Sequence, residues 1–289
     1  MSNIPYIEHL SVAIVAAIKA GGEILDVYKE DFDVEYKADS SPLTQADTRA
    51  DEVIKTIIES AGLNDIPILS EEGRDIPYEE RKGWKNLWIV DPLDGTKEFV
   101  KKNGEFTVNI ALIEDNRPVM GVVYAPAKEL LYYGLRDLGA FMVKGEAIAK
   151  TRDASTPNDE FLDAQEILPL RENLSKDSFT VVGSRSHGSE AQEKFVADIK
   201  KLHPNVEFIS AGSSLKFCLV AEGSANVYPR LAPTMEWDTA AGQAVVEAAG
   251  GKVVVADTGE VLGYNREDLL NPHFIVTGVT GADVKDIKP

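Results

Sequence analysis

The sequence predicts a mixed α/β (α+β) chain of two domains, and three features carry that prediction. Strand-like runs succeed one another from LWIV (87–90) to ELLYYGL (129–135), separated only by turn residues; this is a largely antiparallel meander flanked by helices. From SFTVVGS (178–184) to HFIVTG (273–278), strands and helices alternate, which suits layered architecture. Between the two patterns, residues 144–176 lose their periodicity, and TRDASTPNDE (151–160) is rich in turn formers and charge. We place the junction there, with an N-terminal domain over 1–150 and a C-terminal α/β domain over 151–289 that completes the site. Length agrees: 289 residues, 44% of them hydrophobic, are ample for packed cores, and single cores stop growing at about 250–300 residues.

The elements follow in order. Ile7, Leu10, Ile14, Ile18, Leu25 and Tyr28 keep helical spacing. FDVEYKA (32–38) alternates as an edge strand would, and a helix is predicted over Thr44 to Ala61 with Ala50, Val53, Ile54, Ile57 and Ile58 inward. IPILS (66–70) reads as a short buried strand, followed by LWIV, FTVNIALIED, PVMGVVYAPA and ELLYYGL. In the second half SFTVVGS, VEFIS and ANVYP alternate with helices over Glu190–Leu202, Ser213–Glu222 and Thr239–Ala249; KVVVAD and HFIVTG close the sheet.

Composition excludes several function classes. A formal net charge of -18 opposes nucleic-acid wrapping and electrostatic binding to anionic membranes. The single cysteine, Cys218, allows no intramolecular disulfide and fits a reducing compartment. The opening MSNIPYIEHLSVAIVAAIKAGGEI lacks a basic start, and Glu8, His9 and Lys19 break its apolar run. It predicts an amphipathic helix, not a signal peptide or membrane span. A cytoplasmic protein is expected, with peripheral attachment to the inner face of the membrane left open. One Cys and four His argue against a zinc cluster, and neither G-x-S-x-G nor a strand-borne G-x-G-x-x-G is present.

The chemistry concentrates in LWIVDPLDGTKEF, residues 87–99. An apolar run ends on Asp91, Asp94 follows, Pro92 restricts the turn and Gly95 opens a conformation closed to most residues. Carboxylates at a strand mouth suit Mg²⁺, which takes oxygen ligands and substrate phosphate. Such a cation would also reconcile a phosphorylated substrate with so acidic a chain. LSEEG (69–73) places Glu71 and Glu72 at another strand end, where a solvated acidic loop is the alternative. Asp238, in MEWDTAAGQAVVEAAGG (235–251), stands where a helix should begin, so helix cap and metal ligand are both open. Asp47, in PLTQADTRAD (42–51), is a cap or the group that takes a proton from attacking water, and Thr96 a capping hydroxyl or a relay for that proton. GSSLKFCLVAEG (212–223) opens a helix with small residues and carries Lys216, a setting that suits phosphate. Ser184 and His187 after the TVVG strand, and Arg230, are weaker candidates of the same kind.

Glu71-Glu72, DPLDGT (91–96) and WDTAAG (237–242), in this order, resemble the lithium-sensitive, Mg²⁺-dependent phosphatases of the inositol monophosphatase superfamily. Two longer stretches, 91–113 and 212–230, are similar to its 3′(2′),5′-bisphosphate nucleotidases of the bacterial CysQ type. The resemblance implies a layered α/β/α/β/α sandwich of the lithium-sensitive sugar phosphatase type. It implies metal ligation by Glu71, Asp91, the Leu93 carbonyl, Asp94 and Asp238, with two or three Mg²⁺ ions and inhibition by Li⁺. It further implies water activation by Asp47 and Thr96, and substrate contacts from Gly95, Thr96, Ser184, His187, Gly212 and Lys216. The implied substrate is a small nucleotide bisphosphate: loss of the 3′-phosphate of adenosine 3′,5′-bisphosphate (PAP) to give AMP, extending to its sulfated analogue PAPS, would clear a by-product of sulfate assimilation. The alternative is an inositol monophosphatase or related sugar phosphatase. No nucleic-acid or protein partner is expected, and monomer and homodimer stay equally open.

Overall fold

Five layers of secondary structure are held by three apolar clusters, the middle one spanning two interfaces. The structure, a computed structural model, describes residues 4–29, 35–36, 42–43, 45–73, 75–173, 178–184 and 190–280. Helices α1 (Ile7–Lys29) and α2 (Gln45–Ser60) flank a two-stranded ribbon, β1 (Glu35–Tyr36) with β2 (Pro42–Leu43). Strand β3 (Ile68–Ser70), helix α3 (Tyr78–Arg81), β4 (Asn86–Asp94) and helix α4 (Thr96–Val100) follow. The meander continues through β5 (Thr107–Glu114), β6 (Arg117–Ala125), β7 (Leu130–Leu135) and β8 (Gly139–Lys144). Helices α5 (Glu146–Thr151) and α6 (Asp159–Asp163) then lead to β9 (Glu166–Leu168). The remaining elements are β10 (Phe179–Gly183), α7 (Glu190–Leu202), β11 (Val206–Ser210), α8 (Leu215–Ala221), β12 (Val227–Arg230), α9 (Ala240–Ala248), β13 (Lys252–Val255) and β14 (Phe274–Thr277).

Strands β3 to β9 form one seven-stranded sheet in sequential order. Every pairing is antiparallel except β3 with β4, which is parallel. The second sheet has five strands in the order β11-β10-β12-β14-β13, parallel in its first three and antiparallel in its last. The period-2 alternation of β4 shows how one strand serves two layers. Trp88 and Val90 pack with Ile14, Ile18 and Ile54 of α1 and α2. Leu87 and Ile89 face the other way, into a core shared with Phe217 of α8, Val245 of α9 and Phe274 and Val276 of the second sheet. Val181, Val227 and Ile275 of that sheet look outward to Phe195 and Ile199 of α7. The architecture is thus the expected α+β sandwich.

Close contact between α9 and the seven-stranded sheet needs small residues on both sides. A Cβ on Gly121 of β6 would lie 2.4 Å from the carbonyl oxygen of Ala241, and one on Gly134 of β7 would lie 2.8 Å from Cβ of Ala248. Where the sequence shows no periodicity the structure holds α5, α6 and β9, elements of three to six residues, too short to repeat a pattern. Of FDVEYKA, only Glu35 and Tyr36 lie within the described residues. Among the described residues, no helix is long and apolar enough to cross a membrane.

Candidate active site

Strand β4 runs through Asp94 rather than stopping at Asp91, with a register shift against β5 between those two residues. Pro92 has no N–H to donate to the ladder, so the strand bulges there. The Asp91 Oδ1 accepts a hydrogen bond from the Leu93 N–H at 3.1 Å, which closes the turn. Gly95 takes φ 90 at the N-cap of α4, a left-handed value that favours glycine. Thr96 is therefore the first residue inside the helix and not its cap.

Asp94 is held from the other half of the chain. Its Oδ2 lies 2.6 Å from the Ser213 hydroxyl, 3.0 Å from that of Ser214 and 3.5 Å from the Asn109 amide. The two serines, expected to open a phosphate-binding helix, grip a carboxylate instead. Asp238 does not cap α9: Thr239 is the N-cap residue. The Asp238 Oδ2 accepts from the Met235 N–H at 2.9 Å, and its backbone carbonyl lies 2.8 Å from the Ser214 hydroxyl. Asp47 is buried in the first turn of α2. One turn later, Asp51 accepts from the Ser70 hydroxyl at 2.6 Å. That bond ties α2 to the end of β3, where Glu71 opens a short 3₁₀ turn (Glu71–Gly73).

Carboxylate oxygens of Asp91, Asp94 and Asp238 all lie within 4.8 Å of one another. Burial pushes the Asp91 carboxyl well above the usual range, and Glu71, Asp94, Asp238 and Asp47 add to the shift by repulsion. Asp238 is pushed up to about 8, first by burial and then by Asp94 and Glu71, against the opposing Met235 N–H and Arg230. Five carboxylates from four segments therefore sense one another. A set of hard, crowded oxygen donors fits a divalent cation, whose charge would offset their repulsion.

Beside the acids opens a cavity of about 120 Å³, lined in part by Asp94, Gly95, Ser184, Gly212, Lys216, Arg230 and Asp238. Gly212 donates its N–H to the Glu105 carboxylate at 2.9 Å, so what it offers the cavity is the absence of a side chain. Lys216 is buried, and its ammonium donates to the carbonyls of Ser213 and Ala211. Burial lowers its pKa to about 8. Arg230 is oriented by bonds to the carbonyls of Ala232 and Pro233 at 3.1 and 2.7 Å. His187 lies outside the described residues. Sequence reasoning missed Asn109, Asp51 and the grip of the serines on Asp94. An Asp-to-Ser bond spanning 119 residues leaves no local signal.

Residues 7–285 match the model of the inositol monophosphatase family. The chain is 44% identical over 268 residues to the 3′(2′),5′-bisphosphate nucleotidase CysQ of Salmonella typhimurium, covering 90% of this chain and 96% of that protein. It is 43% identical over 268 residues to the 3′(2′),5′-bisphosphate nucleotidase CysQ of Escherichia coli K12, with the same coverage of 90% and 96%. Among solved structures, it superposes on CysQ from Bacteroides thetaiotaomicron with a TM-score of 0.85 and 50% identity, over 95% of this chain and 98% of that one. The IMPase of Thermotoga maritima shares the fold at a TM-score of 0.70 and 23% identity, over 95% and 93% of the two chains.

Proposed function

This chain belongs to the inositol monophosphatase family of metal-dependent phosphatases, and we propose that within it the enzyme hydrolyses the 3′-phosphate of adenosine 3′,5′-bisphosphate. The products are AMP and inorganic phosphate; the substrate is a small nucleotide bisphosphate, with PAPS as a second one. The observation that carries this reading is the identity of 43–44% with nucleotidases of the CysQ type across 90% of the chain. The supporting geometry is a cluster of carboxylates beside a cleft that carries Lys216 and Arg230.

In this reading Glu71, Asp91, the Leu93 carbonyl, Asp94 and Asp238 hold two or three Mg²⁺ ions. When bound, the ions supply Lewis acidity and the positive charge that both the carboxylates and the transferring phosphoryl group require. Asp47, on α2, with Thr96, at the start of α4, takes the proton of the attacking water. The N-terminal end of α4, with Gly95, lies beside the reacting phosphate. Lys216 and Arg230 are the cations offered to the second phosphate, which would otherwise meet a strongly acidic protein, and Ser184 and Gly212 shape the cleft next to them. Li⁺ inhibits by taking a metal position.

The test is phosphate release from adenosine 3′,5′-bisphosphate and from inositol 1-phosphate, side by side, with Mg²⁺, with EDTA and with Li⁺. Preference for the nucleotide, abolished by EDTA and reduced by Li⁺, is the expected result. Preference for the inositol ester would overturn the substrate, and turnover that survives EDTA would overturn the metal chemistry.

A further inference from the structure

Glu236 stands two residues before Asp238 and is fully buried, at 0% exposure. A buried carboxylate needs donors, and its donors come from one loop. The Asn265 N–H reaches one oxygen at 2.7 Å, while the Arg266 N–H and Nε reach the other at 3.0 and 3.1 Å. Arg266 also donates to the side-chain Oδ1 of Asn271 at 2.8 Å. Asn271 in turn donates to the Met235 carbonyl at 2.7 Å and to the Thr239 hydroxyl at 3.0 Å. The residues on either side of Asp238 are thereby pinned to the loop 265–271.

That loop is itself anchored in the first half of the chain. Arg81 of α3, 2% exposed, donates to the Asn265 side chain at 3.1 Å and to the carbonyls of Arg266 and Glu267 at 2.6 and 3.0 Å. Asn265 returns a bond to the Arg81 carbonyl at 2.7 Å. A connected run of hydrogen bonds therefore ties the segment that carries Asp238 to helix α3 of the first half.

We propose that Glu236 is a positioning residue for the metal centre: clamped by Asn265 and Arg266, and through them by Arg81, its carboxylate sets where Asp238 stands. The inference rests on the metal-site reading above. Removing the negative charge frees Arg266 and loosens the 234–239 segment, which carries Asp238 and forms one wall of the cleft, so metal affinity falls while Lys216, held by the carbonyls of Ser213 and Ala211, keeps its place.

The experiment measures Mn²⁺ binding to the full chain by the loss of the free-ion EPR signal, in wild type, Glu236→Gln and Glu222→Gln. Glu222 is a second buried carboxylate, bonded to Tyr132 and Ser224, and serves as the control for a purely structural role. The expected result is Mn²⁺ binding weakened about 10- to 100-fold in Glu236→Gln, the range typical of outer partners of metal ligands. KM for the nucleotide at saturating Mg²⁺ should stay within about twofold, and Glu222→Gln should lower the melting temperature without changing Mn²⁺ affinity. Folded Glu236→Gln with wild-type affinity overturns the inference alone. Wild type that fails to bind Mn²⁺ overturns the metal-site reading beneath it. Should Glu236→Gln not fold, Arg266→Lys keeps the charge but loses the fork; it should show the same loss, and unchanged affinity there overturns the inference.

Discussion

Replacing Gly121 by alanine tests whether the seat of α9 on β6 sets the metal site. The new methyl carbon would lie 2.4 Å from the Ala241 oxygen, 2.8 Å from its Cα and 2.9 Å from the Ala244 Cβ. Ordinary contact begins near 3.4 Å, so helix and strand must part by about 1 Å, since the obstacles are backbone and a short side chain. A buried methyl contributes about 0.8 kcal/mol in its favour, while overpacking costs about 1–3 kcal/mol. In a chain of this size each kcal/mol shifts the melting temperature by about 2–4 °C, so a fall of a few degrees is expected. The larger effect is on turnover. Asp238 stands two residues before α9 begins, and it moves with the helix while Asp91 and Asp94 stay with the sheet. A displacement of about 1 Å at a reacting centre costs on the order of 10²-fold. Thermal melting with and without Mg²⁺, together with kcat/KM at saturating Mg²⁺, reads both effects. Gly83→Ala is the control, because no atom lies within 4 Å of its added Cβ. A Gly121→Ala enzyme with unchanged melting and unchanged kcat/KM would refute the reasoning.

Asp94→Asn should abolish turnover, by at least about 10³-fold, and leave the fold intact, since the amide can still accept from Ser213 and Ser214 but is a poor ligand; wild-type turnover with metals controlled would remove Asp94 from the site. Lys216→Ala should raise KM for the nucleotide more than it lowers kcat, because a contact remote from the reacting bond gives mostly uniform binding; an unchanged KM would defeat that role. Metal binding should release protons. Asp238, raised to about 8, is largely protonated in the metal-free protein at pH 7, Asp91 is shifted in the same direction by burial and its acidic neighbours, and a cation displaces such protons. Titration calorimetry in buffers of different ionisation enthalpy should show proton release at pH 7, with affinity rising up to about pH 8; no buffer dependence would count against the shifted carboxyls. The same shifts have a sign for stability. Carboxyls whose folded pKa is raised lose stability as pH rises through the ordinary carboxylate range toward 8, so the metal-free protein should melt lower at pH 8 than at pH 5, and Mg²⁺ should recover most at pH 8.

The parts of the site that were legible in the sequence are those written within a few residues. DPLDGT carries its own geometry: Pro92 forces the bulge, and Gly95 adopts the left-handed turn into α4. The sandwich was equally legible, because apolar runs of four to nine residues bounded by turn residues, and helices with a clear apolar face, announce themselves. What was not legible is built from contacts across the two halves. Ser213 and Ser214 look like a helix start, and only the fold brings them to Asp94. Glu236 looks like any acid beside a tryptophan until Arg266 and Asn265, about thirty residues on, enclose it. Asp238 read equally well as a cap, and the structure decides the matter by giving that place to Thr239.

The buried carboxylates of this chain divide by what surrounds them. Glu222 has the hydroxyls of Tyr132 and Ser224, and Glu236 has two backbone N–H groups and a guanidinium. Each is enclosed by donors, as a carboxylate in a core must be. Asp91, 1% exposed, accepts from the Leu93 N–H and is otherwise ringed by Glu71, Asp94, Asp238 and Asp47. Folding gains nothing from that arrangement: burial and repulsion both oppose it, and replacing one acid by an amide would relieve it. Local rules are broken in this way where a site needs them broken. A cation is the partner that converts the same crowding into affinity. Under the proposed function, the acidity that would repel a phosphorylated substrate is therefore what draws the metal that would bind it.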